Sequence, residues 1–185
     1  MSMNRRDFCQ HMVYVGFGSY LALAAGACRG RSEGDTALAL RDGPGYLTAR
    51  EYQTLAAACE RMFPADEDPG AIALGAPSFV ERELSSGAFT DWQEFFRESL
   101  GDLDSDALAH HQKSFVELDP AEQDALLETW VHGRTPRPTF VSRLMHLTLE
   151  GVFCDPVHGG NKGGAAWTLI GFAPSAPRPG DPHQM

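Results

Sequence analysis

Basic charge is scarce in this chain. Its 15 Lys and Arg stand against 25 Asp and Glu over 185 residues, a formal net charge of −10. That leaves no electrostatic footprint for nucleic acid and disfavours a peripheral site on anionic lipid. Catalytic signatures are missing too: there is no G-x-S-x-G elbow, no H-E-x-x-H and no cysteine pair at zinc spacing. The four cysteines include no C-x-x-C-H, which excludes covalent haem attachment. Sustained two-residue alternation of β-branched residues is absent, which argues against strands. No repeat recurs at solenoid periods.

The N-terminus carries a signal. Arg5-Arg6 precedes a soft apolar run from Met12 to Ala27 that is shorter than the ~20 residues a membrane-spanning helix needs. A paired arginine before such a run resembles a twin-arginine export signal, with Cys9 and Gln10 departing from the usual Leu and Lys. The competing reading is an uncleaved membrane anchor. Ala25-Gly26-Ala27-Cys28 fits either an ordinary Ala-x-Ala cleavage site or a lipobox in which Cys28 is acylated, and the lipid is preferred. The segmentation expected is a signal over 1–27, a polar flexible tether over 28–46, a folded domain over 47–174 and a disordered tail over 175–185.

The domain reads as all-α, a small irregular helical bundle with a C-terminal glycine-rich loop. Thr48 with Glu51 is a capping box, followed by Tyr52, Leu55, Ala56, Cys59, Met62 and Phe63 at helical spacing until Pro64. Ala76-Pro77 opens a second helix. Asp91 with Glu94 is expected to cap a third, whose apolar face holds Trp92, Phe95, Phe96, Leu100 and Leu103, and which either continues or breaks once near Gly101. Asp119-Pro120-Ala121-Glu122 starts a fourth. After the connector Thr135-Pro136-Arg137-Pro138 comes a last long helix through Phe140, Val141, Leu144, Leu147 and Thr148.

That helix runs into the loop Gly159-Gly160-Asn161-Lys162-Gly163-Gly164, four glycines in six residues. Glycine lets the backbone take positive φ and approach another surface closely. A P-loop would need Ser or Thr after Lys162, where Gly163 stands; a dinucleotide fingerprint would need glycine where Asn161 stands. Both phosphate readings fail.

Bland readings accompany the remaining candidates. Glu150, Asp155 and His158 could form an open carboxylate–imidazole metal set, yet Asp155 also suits an Asx-type turn before Pro156. His110-His111 suits a solvated face. Asp66-Glu67-Asp68 lacks EF-hand spacing. Cys59 and Cys154 could form a disulfide after export if their Cα atoms come within about 7 Å, or remain inert thiols. For the loop, one reading makes Asp155, His158, Asn161, Lys162 and Trp167 a partner-binding surface with Trp167 as aromatic anchor. In the other, Trp167, Leu169 and Ile170 fold back to plug the core.

Taken together, several stretches are similar to a known family: Met62-Phe63-Pro64-Ala65-Asp66, Pro69-Gly70-Ala71, Phe115-Val116-Glu117-Leu118-Asp119-Pro120, and above all Glu150-Gly151, Asp155-Pro156, Gly159-Gly160-Asn161, Trp167 and Ile170-Gly171-Phe172. They resemble the small (gamma, or subunit 3) chain of the gluconate 2-dehydrogenase family. The resemblance implies an accessory chain without a cofactor or catalytic residue of its own. It implies a large partner of the glucose–methanol–choline type that holds FAD and oxidises a sugar, sugar acid or glycoside. It further implies that a cytochrome c subunit with haem c can complete the complex, and that this chain's signal carries the partner into the periplasm. The alternative kept beside it is a stand-alone periplasmic metal enzyme using Glu150, Asp155 and His158.

Overall fold

The computed structural model describes residues 45–86 and 89–174. The expectations for the export signal at Arg5 and Arg6, for Cys28, for most of the tether and for the tail fall outside these residues. Among the described residues there are six α-helices and no strand: α1 (Ala49–Met62), α2 (Ala76–Ser85), α3 (Thr90–His111), α4 (Pro120–Val131), α5 (Arg137–Phe153) and α6 (Ala165–Leu169). Single 3₁₀ turns lie at Phe115–Glu117, Pro156–His158 and Lys162–Gly164. The all-α expectation holds, and none of these helices is long and apolar enough to cross a membrane.

The caps explain most boundaries. Thr48 Oγ1 accepts from the Glu51 N–H at 3.3 Å, while the Glu51 carboxylate accepts from the Thr48 N–H at 2.7 Å. Asp119 and Glu122 repeat the arrangement at α4. Each box satisfies donors that a helix N-terminus leaves open. α3 departs from expectation: its N-cap is Phe89 with no side-chain bond, and Asp91 lies inside the first turn. The helix also runs unbroken through Gly101. Nothing lies within 4 Å of where a Cβ would stand there, so that glycine is solvent-facing and only weakens the helix locally.

α5 is the spine, packed by α1, α2, α3 and α4. Its closest neighbour is α2: a Cβ on Gly151 would stand 3.0 Å from Ala76 Cα and from the Phe79 ring, so glycine permits the approach. Phe140, Leu144 and Leu147 point from α5 into a core with Leu55, Phe96, Leu100, Phe115 and Trp130.

Two buried acids that sequence reasoning missed bind main chain rather than ligand. Glu81 accepts from the Leu47 N–H at 2.9 Å and fixes the point where the chain enters the domain. Asp104 accepts from the Phe115 N–H at 2.8 Å and pairs with Arg50 at 2.6 Å. Tyr46, assigned to the tether, belongs to the body: its hydroxyl donates to the Gln93 carbonyl and Arg97 covers its ring. Burial pushes that phenol up to about 12.

Candidate functional site

The loop after α5 is two structures in one. Cys154 ends the helix, and Asp155 caps the following 3₁₀ turn by accepting from the Val157 N–H at 3.1 Å, the Asx-type geometry expected before Pro156. The chain then turns inward. Asn161 is 0 % exposed and left-handed (φ 43). Its N–H donates to the Gly151 carbonyl at 2.9 Å, its side-chain N–H to the Cys154 carbonyl at 2.9 Å, and its side-chain oxygen accepts from the Ala166 N–H at 2.9 Å. One amide therefore closes the loop and caps α6, whose own N-cap, Gly164, offers no side chain. Gly160 beside it is equally constrained, since a Cβ there would stand 2.1 Å from the Gly151 carbonyl oxygen. After Asn161 the backbone comes out: Lys162 and Gly163 are exposed, and the Lys162 stem lies across Gly75.

Asn161 therefore corrects the expectation of an exposed partner contact, because a side chain with no accessible surface touches no partner. Lys162 and His158 do lie at the surface. Trp167 is half-buried, its indole N–H donating to the Phe153 carbonyl at 2.8 Å and its ring meeting Phe172 edge-on at 5.2 Å. The expectation that Trp167, Leu169 and Ile170 together plug the core is corrected, because Ile170 lies at the surface and only one side of the indole is packed inward. Phe172, 51 % exposed, forms an apolar face with the indole, and Val157 and Ile170 are also exposed, at 60 % and 56 %. Pro156, Gly163, Gly164, Trp167, Thr168 and Phe172 line a shallow groove of about 430 Å³ there.

The metal set is not assembled. Among the described residues no three His, Cys, Asp or Glu side chains converge on a point. Glu150 pairs with His146 at 3.2 Å, one helical turn back, while Asp155 is occupied by its turn. Cys59 and Cys154 are not joined either. Cys59 is buried, accepts a bond from the Thr148 hydroxyl at 3.3 Å, and is pushed up to about 12 by burial. Cys154 is half-buried, donates to the Gly151 carbonyl at 3.6 Å, and is also raised, chiefly by burial. Raised values keep both as thiols rather than nucleophilic thiolates at neutral pH.

A second surface lies across α3 and α5. Trp92 and Phe95, expected in the core, are only half-buried; beneath them Phe96 and Phe140 are the fully buried layer. The Arg143 guanidinium sits 4.2 Å from the Trp92 ring centre and 4.9 Å from that of Phe95. The helical periodicity gave α3 the right face but not its depth, because Phe96 is fully buried whereas α5 reaches Trp92 and Phe95 only through Phe140 and Arg143.

With this geometry in place the comparison with known proteins is decisive. The model of the family described as gluconate 2-dehydrogenase subunit 3 matches residues 49–174. The chain belongs to that family. No curated protein and no solved structure matches the chain. The subunit 3 match runs from the first turn of α1 past α6, so it includes the loop, the apolar face around Trp167 and the aromatic face under Arg143. The structural core of the subunit 3 domain thus carries both candidate surfaces.

Proposed function

We propose that this chain is the non-catalytic small subunit of an exported, FAD-dependent dehydrogenase of the glucose–methanol–choline type, acting on a sugar, sugar acid or glycoside. The observation that carries the reading is the subunit 3 match over residues 49–174. FAD belongs to the large partner, and a cytochrome c subunit with haem c takes the electrons onward. This chain brings the partner through the twin-arginine route by Arg5-Arg6, holds it in the periplasm and, through an acylated Cys28, at the membrane. The surface that meets the partner is the outer half of the loop, with His158 and Lys162 beside the apolar face of Trp167 and Phe172. Aromatic residues at the centre of such patches supply much of the affinity of protein interfaces. The stand-alone metal enzyme is not retained, because its three proposed ligands do not converge among the described residues.

The test is export. Arg5→Lys combined with Arg6→Lys is expected to strand both this chain and the flavoprotein in the cytoplasm, with loss of periplasmic dehydrogenase activity. Wild-type periplasmic activity in the double variant would overturn the escort role. Mass spectrometry of the mature N-terminus is expected to show a lipid on Cys28.

A further inference from the structure

Among the described residues Arg82, Arg134 and Arg143 show no ion pair with a carboxylate, and Arg143 alone of these lies over two aromatic rings. Arg50, Arg61, Arg97 and Arg137 each reach a carboxylate, with nitrogen–oxygen distances from 2.6 to 3.1 Å. Arg143 is half-buried and has two aromatic rings beneath it but, among the described residues, no carboxylate beside it. The two rings cover part of the guanidinium, and among the described residues its N–H donors meet no carboxylate. Such a donor fork is matched by a carboxylate in bidentate geometry. Around it Phe89 leans on Trp92 at 4.9 Å, so the cation stands in a half-exposed aromatic field. Trp and Arg in this association are the residue types that dominate interface hot spots.

Charge complementarity also selects the occupant. A second copy of this chain would bring its own net charge of −10, and a two-fold contact centred here would set Arg143 against Arg143. A different protein carrying an acidic side chain among apolar ones fits instead. We propose that the Trp92–Phe95–Arg143 face is a second docking surface for the flavoprotein subunit, which places a carboxylate on the Arg143 guanidinium and apolar side chains on the two rings. This rests on the accessory-subunit reading and adds a contact separate from the loop.

The experiment measures binding of the purified full-length chain to its purified, FAD-loaded dehydrogenase subunit at two salt concentrations. Arg143→Met keeps an apolar cover over the rings and removes the charge; Arg143→Glu reverses it. The proposal expects about tenfold weaker binding for R143M and about a hundredfold for R143E. The wild type should weaken with added salt more than R143M does. Melting of the lone variants should stay near wild type, which separates docking from a merely structural cover over Trp92. If R143M folds and binds within twofold of wild type, the proposal is overturned. It is overturned equally if the lone wild-type chain sediments as a dimer that R143E dissociates, since the occupant is then a second copy. Should the wild type itself fail to bind the flavoprotein, the accessory-subunit reading fails and this surface falls with it.

Discussion

The two halves of the glycine-rich loop put the same residue type to opposite uses. At Gly160 an added Cβ would lie 2.1 Å from the Gly151 carbonyl oxygen and 2.9 Å from the Cys154 sulfur; at Gly163, three positions on, nothing stands within 4 Å. Gly160 is glycine because backbone must pass backbone. Gly163 has a φ of 66°, a left-handed conformation that strains most residues bearing a Cβ. Between them Asn161 tolerates the left-handed region and spends both ends of its amide on main chain. The inner half therefore anchors the loop to the last turn of α5, and only the outer half is available for recognition. A glycine run read as one flexible recognition loop merges an anchor with the surface it supports.

Substitutions can break that contrast, and the largest effect is expected at Gly160. Gly160→Ala must displace the α5 backbone, a cost of roughly 3 kcal/mol or more. Thermal melting of the lone chain should fall by many degrees, and a wild-type melt would contradict the packed inner half. Asn161→Ala comes next, at about 2–4 kcal/mol. It leaves the Ala166 N–H and the Cys154 carbonyl without their partner and puts a Cβ-bearing residue with no local hydrogen bond at positive φ. Any loss of partner binding in that variant reports unfolding of the loop, so it should follow the melt. Gly163→Ala has space for its methyl group and meets only backbone strain, about 1 kcal/mol. A loss as large as that at Gly160 would show that the outer half is packed after all.

A separate effect lies on the alkaline side and compares the thiol under the helices with the phenol at the chain's entry point. Cys59 and Tyr46 are both neutral when protonated, and both are pushed up to about 12 in the folded state. Unfolded, they titrate near their ordinary values of about 8.5 and 10. The unfolded chain thus loses these protons first. Their contribution to stability is complete below pH ~8.5 and declines as pH rises toward 12. Denaturant midpoints should be flat from pH 7 to 8.5 and drop progressively above it. A midpoint that rises with pH in that range would contradict burial of Cys59.

Much of the fold could be read in the sequence because capping chemistry is local. Thr48 with Glu51 and Asp119 with Glu122 start helices where they were expected, and the inward positions of α5 follow its helical period. What escaped depends on distant partners. The half-exposure of Trp92 and Phe95 is set by how far α5 covers α3, and the burial of Glu81 by where residue 47 re-enters the domain. Nothing in the spacing of Glu150, Asp155 and His158 revealed that His146 would take the first of them. Asn161 did carry a signal: asparagine inside a glycine run is a residue type enriched at positive φ. Read that way, it marks an internal turn rather than a surface contact.

We propose that this chain works by binding a flavoprotein and performs no turnover itself. The most direct measurement is co-purification of a tagged full-length chain with its co-expressed dehydrogenase subunit, followed by flavin absorbance and dye-linked sugar oxidation in each fraction. The account predicts one complex carrying flavin and activity, and a lone small chain that is colourless and inert. A lone small chain that oxidises substrate, or a large chain that elutes alone with full activity and correct export, would contradict it.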